Sequence, residues 1–181
     1  MNTSFWKAGH TPTLFAAFLY FDLSFMVWYL LGPLAVQIAT DLDLTAQQRG
    51  LMVATPILAG AILRIFMGLL ADRLSPKSAG LIGQVIVICS LFAAWQIGIQ
   101  TYEHALLLGL FLGFAGAGNS GTVLAALFAP GLAALFGWQN VFGWALIPLL
   151  IALLVFALLA RNAPQRPQPK SMADYLKALG D

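Results

Sequence analysis

Five apolar stretches, each long enough to reach across a lipid bilayer and separated by short polar turns, dictate what this chain can become. They cover residues 14–38, 51–71, 80–99, 105–136 and 141–160, and a transmembrane helix needs about 20 such residues. The supply of charge agrees. Charged residues make up 9% of the 181 and hydrophobic ones 60%, against about 25% and about 45–50% in a soluble domain. Nine Lys+Arg and seven Asp+Glu cannot coat a globular surface. A soluble enzyme, a nucleic-acid binder and a disordered chain are excluded. What remains is an all-α integral membrane protein whose first partner is the lipid bilayer.

The turns carry their own signals. Thr45 followed by Gln48 fits a capping box and predicts a helix start at Ala46. Pro76 helps to stop the polar turn that follows the second stretch. Residues 1–160 form the helical bundle. Residues 161–181 form a Pro/Gln-rich tail in which 171–179 can make one short amphipathic helix, with Ser171 as its N-cap.

Orientation follows from Lys and Arg. Lys7, Arg73, Lys77, Arg161, Arg166, Lys170 and Lys177 fall on one side if the N-terminus and the tail are both cytoplasmic, and only Arg49 falls on the other. That distribution demands an even number of crossings, yet five stretches give an odd one. The conflict centres on 105–136, an uncharged run of 32 residues rich in Gly and Ala. As one helix it would be about 48 Å long, well beyond the hydrocarbon core of about 30 Å. It is expected as one long, tilted or kinked helix with a break near 116–121 or at Pro130; the alternative is two short, bent segments, which would leave the tail internal.

Arg64 is the sharpest single residue. An Arg near mid-span costs about 2.5–3.5 kcal/mol on insertion scales and normally faces a polar cavity. It lies about three residues, or about 4–5 Å, inward of its span centre, and Asp22 lies at similar depth in the first stretch. Two readings stay open: an Asp22–Arg64 ion pair or snorkelling side chain, and an anion site. The guanidinium is a planar fork of donors that suits a trigonal oxyanion.

Residues 113–121 (GFAGAGNSG) contain a formal G-x-G-x-x-G, but no strand precedes it. No acid follows before Asp174, so the ribose partner of a dinucleotide site is missing. No cofactor is expected. Gly113, Gly116 and Gly121 fit tight helix packing. His10 and His104 are isolated, so no metal site is expected, and Cys89 is expected as a packed, inert thiol. No Ser-His-Asp or Cys-His set can be assembled, and Asp41 and Asp43 lie in an exposed loop. An enzyme is not expected.

Two motifs carry a family resemblance. Residues 68–77 (GLLADRLSPK) resemble the loop between the second and third helices of the major facilitator superfamily, with Ser75 where that family usually has Gly. There Gly68 would allow close helix approach, and Asp72 could pair with Arg73, Lys77 or another helix terminus. Residues 115–121 (AGAGNSG) resemble the nitrate signature on the fifth helix of the nitrate/nitrite porters, the NarK-like branch of that superfamily. Segments 21–33 (FDLSFMVWYLLGP), 64–68 (RIFMG) and 136–143 (FGWQNVFG) also look like that branch.

The resemblance implies alternating-access transport of nitrate or nitrite across the cytoplasmic membrane. It assigns substrate binding to Arg64, Gly118 and Asn119, and a conformational role to Gly68, Asp72, Arg73 and Lys77. It also implies a partial N-terminal bundle of a twelve-span fold, with the C-terminal half or another transporter segment as partner. About 30 residues look missing between 109–113 and 115–121, which resemble the fourth and fifth helices. Restoring them would give six spans and an internal tail. The alternative is a small helical membrane protein that packs or binds partners without transport.

Overall fold

Prolines and capping side chains cut the apolar stretches into seven α-helices among the described residues, 10–115 and 120–162 of this computed structural model. They are α1 Thr11–Trp28, α2 Leu31–Asp41, α3 Ala46–Arg73, α4 Pro76–Ile97, α5 Tyr102–Leu112, α6 Ser120–Phe136 and α7 Trp138–Leu159, with a 3-10 turn Gly113–Ala115 after α5. The expected amphipathic tail helix lies outside the described residues.

The first stretch is broken at Tyr29 and Leu30. Pro33 has no N–H to give the Tyr29 carbonyl and its ring would crowd it. The chain tightens instead, with Leu30 N–H donating to Val27 O at 3.1 Å and Gly32 N–H to Tyr29 O at 3.0 Å. The capping box forms as read. Thr45 Oγ1 accepts from Gln48 N–H at 3.2 Å and Gln48 Oε1 accepts from Thr45 N–H at 2.9 Å. Ser75 caps α4 in the same way, accepting from Ser78 N–H at 3.0 Å.

Hydrogen bonds between distant elements define two ends of the bundle. At the basic end, Thr13 Oγ1 donates to Leu159 O at 3.1 Å and Lys77 Nζ donates to Ala157 O at 2.6 Å. The starts of α1 and α4 therefore meet the finish of α7, beside Arg73 and Arg161. At the opposite end, Trp138 Nε1 donates to Asp41 and Gln139 Nε2 donates to Ile99 O at 3.4 Å. There the finishes of α2 and α4 meet the start of α7.

The 105–136 run corrects the expectation of one long helix. Tyr102 follows shortly after Ile99 at the opposite end, and Phe136 immediately precedes the Gly137–Trp138 turn at that same end. Between them α5 descends along α3, and its closing turn lodges on Ala59 and Gly60. A Cβ on Gly113 would stand 2.7 Å from the Ala59 Cβ and 2.8 Å from the Gly60 nitrogen. Gly60 lies about 21 Å along the 28-residue α3, near its middle. α6 then returns, packing on α1, α2 and α7 while α5 packs on α3 and α4.

The segment is thus a re-entrant pair. By helical rise, α5 with its turn spans about 20 Å and α6 about 25 Å, each short of the hydrocarbon core. Four helical units remain long and apolar enough to cross: Thr11–Asp41, Ala46–Arg73, Pro76–Ile97 and Trp138–Leu159. Crossing by these four would bring both described termini to the basic end and would give an even number without adding residues.

The core is apolar, with Leu34, Ile38, Leu91, Leu112, Phe142 and Leu149 at its centre. One polar pair sits inside it. Ser24 Oγ donates to Gln84 Oε1 at 2.7 Å, and both residues are fully buried. Gln84 Nε2 reaches Leu149 O at 3.5 Å, so the pair ties α1, α4 and α7 together.

Candidate functional site

The half of α3 nearest the basic end is laid bare by the fold. α5 covers α3 only as far as Gly60, and beyond it the cover is α4, which meets Met67 through Gly83. Ile62 is 59%, Ile65 62% and Phe66 61% exposed, and Ala61, Arg64 and Gly68 are exposed between them. Consecutive exposed residues over a full turn mean that most of the circumference has no protein neighbour.

Arg64 stands in this bare region, four residues or about 6 Å past Gly60 toward the basic end. Among the described residues it has no hydrogen-bond or ion-pair partner. Asp22 on α1 is half-buried and has an interaction of its own. The structure does not join the two as a salt bridge. The Arg64 guanidinium, with five donors in one plane, is exposed within an apolar stretch of α3.

The other residues singled out from sequence divide into three groups. Gly113 is wedged against Ala59 and Gly60, and Ala59, Gly60 and the Trp28 ring crowd the same spot. Trp28 Nε1 donates to Pro56 O at 2.9 Å and fixes that crossing. Gly68, expected at a close helix approach, has no atom within 4 Å of where its Cβ would be. The reason is the missing cover over this half of α3.

The loop motif lies at the basic end. Lys77 Nζ holds the Ala157 carbonyl in the last turn of α7, where a cation suits the helix terminus. Asp72 and Arg73 are exposed and Asp72 is engaged in an interaction. Gly116, Gly118 and Asn119 lie outside the described residues, and Gly121 falls in the first turn of α6.

Cys89 is exposed, not packed. It lines an apolar groove between α4 and α5 with Val85, Ser90, Ile97, His104 and Phe111, on different elements from Arg64. Sequence reading passed over Gln84, Ser24 and Gly60. The amide in an otherwise apolar span was the available signal for Gln84, because such a group must find a partner inside the protein.

Comparison with known proteins adds to this geometry. Residues 16–120 match the family model described as Major Facilitator Superfamily. A protein named "Probable nitrate transporter NarT" from Staphylococcus haemolyticus is 28% identical over 87% of this chain and 47% of its own length. "Probable nitrate/nitrite transporter NarK2" from Mycobacterium tuberculosis is 28% identical over 86% of this chain and 47% of its own. "Nitrite extrusion protein" from Bacillus subtilis is 29% identical over 75% and 40%. The chain spans about half the length of the curated relatives it matches. No solved structure matches it.

Proposed function

The chain belongs to the Major Facilitator Superfamily, and on that premise we propose that it forms one helical bundle of a transporter for nitrate or nitrite. The observation that carries the reading is Arg64: an exposed guanidinium within an apolar stretch of α3, with no partner among the described residues. A charge there is costly unless something negative meets it. A planar oxyanion accepts two parallel N–H bonds from a guanidinium, which a spherical halide cannot reciprocate. The relatives' names supply the same anion class independently. The Gly118–Asn119 segment, which precedes α6 in the chain, is the second part of the proposed site. Helix α6 starts beside it at mid-depth, where the positive end of its dipole favours an anion.

The bare half of α3 is the proposed seat of a second bundle, the C-terminal half of a porter or another transporter segment. Such a bundle would close the other side of the anion site, and alternating access would be the rocking of one bundle on the other. The basic end is proposed as cytoplasmic, in the inner membrane, by the distribution of Arg73, Lys77 and Arg161. The residues assembled here bind and move a solute and take no part in bond making.

The test is Arg64→Lys in a porter that carries this bundle joined to the remaining half of a relative. The charge survives but the fork does not. Loss of one hydrogen bond to a charged group is worth about 1.5–3 kcal/mol, so nitrate affinity should fall by about ten- to over a hundredfold. Uptake near the parent's, normalised to protein in the membrane, would remove Arg64 from the site. The 181 residues expressed alone are expected to show no uptake, because only one wall of the site is present.

A further inference from the structure

The segment 136–143 plays no part in the anion reading, yet its side chains gather the helices at the end opposite the basic one. Trp138 Nε1 donates to the Asp41 carboxylate at the close of α2. Gln139 reaches Ile99 O. Asn140 Oδ1 accepts from Trp95 Nε1 on α4 at 3.1 Å, and its Nδ2 donates to Phe136 O at the end of α6 at 2.7 Å. Of these bonds, only the one from Trp138 reaches α2. The indole is 6% exposed and meets Phe142 edge-on at 6.0 Å, so it is a fixed post, while Asp41 lies at the surface.

α2 is separable from α1. The break at Tyr29 and Leu30, enforced by Pro33, interrupts the regular hydrogen-bond ladder between them. α2 also contains a polar misfit. Among the described residues the buried Oε1 of Gln37 has no hydrogen-bond partner, a burden that a native structure rarely keeps without cause. A shift of α2 that brought this amide to water would relieve it.

We propose that α2 is a gate at this end of the bundle, hinged at Tyr29–Leu30 and held shut by the bond from Trp138 to Asp41. Naming it a gate rests on the transport reading; the hinge and the latch rest on the contacts alone. In the shut state Leu34 and Ile38 are fully buried. Release of Asp41 leaves α2 attached through the hinge and through apolar contacts, and its swing would open those side chains to water.

The experiment uses the full chain in proteoliposomes, with Cys89→Ser and a reporter Ile38→Cys, and reads the rate of reaction with a water-soluble maleimide. Trp138→Phe keeps a ring in place but removes the donor, and Asp41→Asn keeps the shape but removes the charge. Each should speed labelling by about ten- to a hundredfold, the population shift expected when a hydrogen bond to a charged group is weakened or lost. Val27→Cys, below the hinge, should stay protected in the same variants. Trp95→Phe, which cuts the α4–α7 bond and spares the latch, should leave Ile38→Cys slow. Unchanged labelling in both latch variants would overturn the proposal. So would equal acceleration by Trp95→Phe, or acceleration of Val27→Cys alongside Ile38→Cys, since either means general loosening. No anion enters the measurement, so failure of nitrate uptake and failure of the gate are separate results.

Discussion

Two glycines of similar sequence context have opposite surroundings, and the difference is measurable. Gly113 has ordinary helical dihedrals, with φ −55°, so any residue suits its backbone and space alone decides. An alanine there must displace the Ala59 Cβ and the Gly60 backbone, and overpacking of this kind costs about 1–3 kcal/mol. Gly68 sits in an open stretch of helix, where alanine should gain about 0.5–1 kcal/mol. Unfolding of the chain in micelles by heat or SDS should therefore be earlier for Gly113→Ala and no earlier than the parent for Gly68→Ala. The packing at Gly113 could be read from the run of small residues. The emptiness at Gly68 could not, since it depends on where α5 stops. Of the Ser24–Gln84 pair only the Gln84 amide was a visible signal; its partner was not, because neither residue carries a charge and a span is read by its charges first.

At the scale of elements, four of the five stretches were legible because their turns meet water and need polar residues. The boundaries at Thr45, Ser75 and Gly137 follow from caps and turn chemistry. The bend between α5 and α6 left no such mark. Its described part, the 3-10 turn Gly113–Ala115, lies against α3, and glycine serves there in place of Asn, Asp or Lys. An uncharged run of 32 residues was the visible anomaly, and its length alone could not separate a tilted helix from a pair that turns back. Side-specific labelling can. In a Cys89→Ser background, Tyr102→Cys and Phe136→Cys should react from the same face of the membrane, and Asn162→Cys from the other. A single crossing would instead place Tyr102→Cys and Asn162→Cys on one face and Phe136→Cys on the other.

For the whole molecule, the bare half of α3 and the relatives' greater length point to the same expectation. Ile65→Cys should label readily in the chain alone and be protected once it is joined to the remaining half of a relative, whatever happens to nitrate uptake. Labelling that stays fast in the joined protein would place the second bundle elsewhere. Apart from Arg64, residues 61–68 are apolar and compatible with burial or with lipid, so the sequence could not say which side of α3 lies open. That follows only from the arrest of α5 at Gly60.

The re-entrant pair also bears on how such a chain can vary in length. A segment that leaves one face and returns to it is neutral to everything encoded after it. Shortening both arms, or extending both until each passes through the bilayer, leaves α7 entering from the same face and the tail emerging where it did. Removal of one ordinary crossing would instead invert every later segment and set the basic residues against their preferred side. Of all the apolar stretches, 105–136 is therefore the place where insertions and deletions of a helical pair can accumulate while the orientation of the remainder is inherited unchanged.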